Sequence, residues 1–133
     1  MLSLNTHKNL LEGFSAQKSS DTLHHAFIFK VKDAVLLDSF IKSFCELLLS
    51  QSIEDYQDSP YITISKVEND EIKVAEIKKI IKSCGLTAHN NSAKIIIIPE
   101  LDLLNDSAAN ALLKTLEEPS SDTFFLMFTR NYS

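Results

Sequence analysis

Two kinds of apolar run alternate along this chain. Short continuous runs stand at "AFIFK" (26–30), "YITIS" (61–65), "KIIII" (94–98) and "TFFLMF" (123–128). They are too short for helices and rich in β-branched and aromatic side chains, so each predicts a strand. The unbroken run of "AFIFK" predicts cover on both faces. Between the runs, apolar residues recur at helical spacing. Leu36, Leu37, Phe40, Ile41, Phe44, Leu47 and Leu48 predict an amphipathic helix over 34–49, with the Asp33 carboxylate as N-cap. Val74, Ile77, Ile80 and Ile81 predict a second over 74–84, with Gly85 as the left-handed residue beyond its end. Ala109, Leu112, Leu113 and Leu116 mark the core face of a third, capped by Asn105 or Asp106 and stopped by Pro119. A shorter helix is expected at 5–14, with Leu10, Leu11 and Phe14 on one side and the loop "AQKSSDT" after it. "SQSIEDYQDSP" reads as a loop and "ENDE" as a turn.

Strands alternating with helices predict an α/β domain with a parallel sheet and right-handed crossovers. A length of 133 residues suits one such domain. The net charge of −5 gains little from phosphate neutralisation, so autonomous DNA binding is not expected from charge. The start lacks a basic region followed by a long apolar core, and the longest aliphatic run, Ile95–Ile98, is far too short to span a bilayer. Cys45 and Cys84 stand alone, without a Cys-x-x-Cys pair. They read as reduced core thiols of a cytoplasmic protein, with a disulfide between them left open.

The segment "LLNDSAANALLKTLEEP", followed by a strand and Thr129, resembles the clamp-loader branch of the AAA+ family. Within that branch it is most similar to the delta prime subunits of bacterial DNA polymerase III. The likeness extends back through "EIKVAEIKKIIKSCGLTAHNNSAKIIII" to "HAFIF", where the family has its first strand. It implies a P-loop-NTPase-like three-layer sandwich with strand order 5-1-4-3-2. In the family a Walker A loop follows that first strand, because glycine backbone N–H groups must wrap phosphates and a lysine must meet their charge. The corresponding stretch here, Lys30 to Asp38, reads "KVKDAVLLD". Val31, Ala34 and Leu36 take the glycine places, and Leu37 and Asp38 those of Lys and Ser/Thr. The chain holds only two glycines, Gly13 and Gly85, so no such loop can be built elsewhere. The Walker B pair is Pro99-Glu100, without the aspartate that would support Mg²⁺.

The resemblance therefore implies a degenerate nucleotide site, no cofactor and no metal. It implies a non-catalytic subunit working beside gamma/tau and delta subunits, and reaching the sliding clamp and primed DNA through the complex. Residues 1–133 would form the first domain, with lid and collar domains beyond Ser133. An active loader ATPase of the gamma/tau type with an atypical site, and a DNA-binding module, remain alternatives. Glu117 and Glu118 look like a catalytic pair but end a helix with no nucleophile or base beside them. With Lys114 they are candidates for a subunit interface. His24 and His25 have no third ligand in view. The lysines of "KVAEIKKIIK" read as a solvated helix face, and Thr129 matches the start of the family's sensor-1 region.

Overall fold

The computed structural model describes residues 25–31, 33–86, 93–117 and 122–130. The expected helix at 5–14 and the loop after it lie outside these residues. Within them, four strands, β1 (Ala26–Lys30), β2 (Ile62–Ile64), β3 (Lys94–Ile98) and β4 (Thr123–Thr129), alternate with three helices, α1 (Ala34–Leu49), α2 (Val74–Leu86) and α3 (Asp106–Glu117). All pairings are parallel and the order is β1-β4-β3-β2. The step from β1 to β2 crosses the whole sheet in one direction, and the steps β2 to β3 to β4 return in the other. With one handedness of crossover, that reversal puts α1 on one face and α2 with α3 on the opposite face.

Two apolar layers follow. Phe40, Ile41, Phe44, Cys45 and Leu48 of α1 pack on Ile95, Ile97, Leu126 and Phe128. Ile77, Ile80, Ala108 and Leu112 pack on Ile96, Ile98, Phe125 and Met127. The central strands β3 and β4 are thus covered on both sides, which is why their sequences are unbroken apolar runs. Full burial of each such side chain contributes roughly 1.5–3 kcal/mol. An aromatic cluster stiffens the α1 layer: the Phe29 ring lies 4.9 Å from that of Phe40 at 64°, and 5.5 Å from that of Phe128.

Four expectations need correction. β1 is covered on one face only. Phe27 and Phe29 lean on the α1 layer, while Ile28, aligned with Met127, is 62% exposed, because α3 lies over β3 and β4 and stops short of the end strand. α2 does not end at Gly85 but runs through it to Leu86, and no glycine among the described residues has a positive φ. On α3 the core contact is made by Ala108 and Leu112, with Ala111 and Leu116 partly buried, while Leu113 is 57% exposed. The polar stretch after α1 is more than a loop: it contains the 3₁₀ turn Tyr56–Asp58 and buries Ile53 and Tyr56 against the α1 layer. The disulfide left open is also settled for one partner, since Cys45 is a buried free thiol.

The ends of the elements follow local chemistry. The Asp33 carboxylate accepts from Val35 N–H at 2.9 Å and Leu36 N–H at 3.4 Å. Asn105 is the cap of α3: its side-chain oxygen accepts from Ala108 N–H at 2.8 Å while its amide donates to Glu71 at 2.7 Å. "ENDE" is a tight turn in which Asn69 and Asp70 hold φ of 54° and 58°, bridged by Glu68 and Glu71. Asn and Asp are the non-glycine residues best able to adopt that geometry.

Candidate functional site

Ligands of open parallel sheets bind outside the carboxyl ends of the strands. At that edge β1 ends at Lys30 and α1 begins at Ala34. Val31 N–H still donates to Thr129 O at 3.1 Å, and its side chain is buried. Val31 therefore carries the pairing with β4 one residue beyond the end of β1. The free N–H groups of a helix N-terminus are ready anion ligands. Here two of them are occupied by the carboxylate of Asp33, whose charge also opposes an incoming phosphate.

Leu37 and Asp38, on the first turns of α1, meet Pro99 at the end of β3 across one recess of 160 Å³. Ile41, Ile64 and Ile97 complete its apolar wall, and Asp38, Tyr56 and Gln57 form its polar lip. Leu37 and Asp38 are thus brought together in space with Pro99, about sixty positions on in the chain. The Tyr56 hydroxyl donates to Asp38 Oδ1 at 2.6 Å. Burial, and then this bond, push the Tyr56 phenol up to about 12, so it remains a donor through neutral pH. Of the other positions, Leu36 is half-buried, and Lys30 and Glu100 are exposed. Ala34 lies in the first turn of α1. Among the described residues no group of three metal-ligating side chains is present.

Thr129 does not point at a bare cleft. Its hydroxyl donates to Asp102 Oδ1, and Arg130 N–H donates to Asp102 Oδ2 at 2.9 Å. Asp102 stands in the 3₁₀ turn Leu101–Leu103 after β3, so one carboxylate ties the ends of β3 and β4. The sequence reading missed both Asp102 and Tyr56. For Tyr56 a signal existed, an aromatic residue in an otherwise polar loop. For Asp102 none did, because an aspartate among leucines in a turn has many uses.

The remaining candidates lie apart from this edge. Lys114 and Glu117 are exposed on the outer side of α3, flanking Leu113, and Glu118 lies outside the described residues. His25 Nδ1 donates to Thr123 O at 3.0 Å and its ring stacks on Phe124 at 5.3 Å, a structural use; His24 is outside the described residues. Lys78, Lys79 and Lys82 are exposed along one side of α2.

A three-layer α/β domain with this parallel strand order has a P-loop-NTPase-like fold of the AAA+ type. The fold is shared with a crystal structure of a DNA polymerase III gamma subunit-related protein from Thermotoga maritima. The TM-score is 0.67 at 19% identity, over 96% of this chain and 39% of that one. The chain belongs to the family described as DNA polymerase III, delta subunit, whose model matches residues 6–133. It is 35% identical over 83 residues to DNA polymerase III subunit delta' of Yersinia pestis, covering 62% of this chain and 23% of that protein. It is 31% identical over 124 residues to subunit delta' of Bacillus subtilis, covering 82% of this chain and 37% of that protein. The chain therefore spans between about a quarter and somewhat over a third of the length of these relatives. No helix among the described residues is long and apolar enough to cross a membrane.

Proposed function

We propose that this chain acts as the first domain of a delta prime-type subunit of a bacterial DNA polymerase III clamp loader, in the cytoplasm, and that it neither binds nor hydrolyses ATP. Its work is then to present surfaces. It pairs with gamma/tau and delta subunits, and acts on the sliding clamp and primed DNA through them. Lys114, Glu117 and Glu118 at the end of α3 are the proposed contacts with a neighbouring subunit, and lid and collar domains would belong to the rest of the subunit.

One observation carries the non-catalytic part. The helix N-terminus that would hold phosphates is capped by the chain's own Asp33 carboxylate, and the recess beside it is apolar, with Asp38 on its lip. A polyanion meets negative charge where it needs donors. The expectation is no heat of binding in a calorimetric titration with MgATP. A dissociation constant below about 100 μM, near −5.5 kcal/mol, would overturn the non-catalytic reading and favour an atypical ATPase. A parallel titration with primed DNA tests the DNA-binding alternative. Affinity that falls steeply with salt would support it, and the net charge of −5 predicts none at physiological salt.

A further inference from the structure

The recess at the carboxyl edge is apolar within and acidic at its lip. Its wall is aliphatic, from Leu37, Ile41, Ile64, Ile97 and Pro99, and its volume is 160 Å³. A cavity of about 150 Å³ with apolar walls accepts a benzene-sized group, so one side chain fits. The acidic side chain on its lip is Asp38, and among the described residues no lysine or arginine lines it. Asp38 keeps one oxygen out of its bond to Tyr56, which uses Oδ1. Gln57 adds a neutral polar group, and Asp58 follows it in the chain. An apolar shaft ending in a carboxylate complements one side-chain shape well. Lysine and arginine bury a methylene stem on apolar surface and keep a charged head at the polar rim.

We infer that this recess is a docking site for a long basic side chain, lysine or arginine, presented by a protein partner. The stem lies against Leu37, Ile64 and Pro99, and the cation pairs with Asp38. The inference rests on the reading that no nucleotide occupies this edge. It goes further in assigning the vacated edge a ligand of opposite charge. Tyr56 is the positioning residue: its hydrogen bond holds the Asp38 carboxylate at the lip. Arginine is the better fit of the two, because its guanidinium is more weakly hydrated and can bridge Asp38 and the Gln57 amide oxygen.

The test is chemical-shift mapping of the 133-residue chain with capped Ala-Arg-Ala, Ala-Lys-Ala and Ala-norleucine-Ala at up to about 20 mM, above the millimolar affinity that one side chain supplies. The basic peptides should shift the methyl signals of Leu37, Ile41, Ile64 and Ile97 and the Asp38 and Gln57 amides. The norleucine peptide, which has the stem without the charge, should bind about five-fold more weakly. Asp38→Asn keeps an acceptor for Tyr56 and should reduce the basic peptides to the norleucine level. Ile64→Phe adds volume to the wall and should abolish all three. Absence of shifts at the recess, shifts spread over the acidic surface, or binding undiminished in Asp38→Asn overturns the inference. MgATP in the same spectra separates the two claims. Shifts at Leu36 to Ser39 with ATP would overturn the non-catalytic reading, whereas silence from both ATP and peptides would overturn only the docking site.

Discussion

Tyr56 and Asp38 lie 18 positions apart and meet through a single hydrogen bond at the lip of the recess. The Tyr56 phenol is raised from 10.0 to about 12, first by burial and then by the bond to Asp38. A group whose pKa is raised on folding adds stability that is complete below its unfolded value and disappears as pH climbs through the folded one. The Tyr56 contribution is therefore intact below pH 10 and lost between pH 10 and about 12. Cys45 behaves alike: burial and then the neighbouring Glu46 charge lift its thiol from 9.0 to about 12. Urea melts should show stability falling across this alkaline range. Tyr56→Phe should cost about 0.5–1.5 kcal/mol at pH 7 and make the fall between pH 10 and about 12 shallower, leaving the Cys45 part. A variant whose curve stays parallel to that of the parent up to pH 12 would show that the phenol carries none of it.

Elements were the most legible level. α1 spans the predicted residues because seven apolar positions agree on one face and Asp33 supplies the cap. α3 was legible as a helix but not in its phase. Ala111 and Leu113 flank Leu112 by about 100° on either side, and the apolar character of Leu113 set it in the expected core stripe. The layer beneath, Ile96, Ile98, Phe125 and Met127, together with α2 alongside, selects the Ala108–Ala111–Leu112–Leu116 side. The two leucines should separate sharply in denaturant melts. Leu112→Ala should cost roughly 2–5 kcal/mol as a buried cavity, and Leu113→Ala within about 0.5 kcal/mol as a surface change. Similar losses for both would mean that the helix is rotated from the orientation described. Gly85 failed as a stop signal because a glycine is only permitted, not required, to take a left-handed conformation, and α2 ends one residue further on.

Among the described residues β1 ends the four-strand sheet, and it shows Ile28 to solvent at 62%. An exposed branched aliphatic residue in mid-strand at the end of a sheet favours contact with another chain. Sedimentation of the 133-residue chain should show concentration-dependent association that Ile28→Lys abolishes, with a change in stability within about 0.5 kcal/mol. A parent chain that stays monomeric at the highest soluble concentration would refute this. Legible from the residues alone were the kind and succession of the elements, the cap at Asp33, the turn at Asn69–Asp70 and the absence of a glycine-rich phosphate loop, while the cap of α3 stayed open between Asn105 and Asp106 until the structure placed it on Asn105. These are matters of periodicity, backbone conformation and residue identity, all local along the chain. The strand order came to the sequence reading only through family resemblance, since period and spacing do not say which strands pair. Tertiary structure alone decided that β1 is bare on one face, that Leu113 points outward, that Tyr56 reaches Asp38, and that Asp102 joins Thr129 and Arg130 across 27 and 28 positions. Each depends on where the sheet sets two distant segments, and a segment's own residues carry no record of the partner that packing will bring within hydrogen-bond reach.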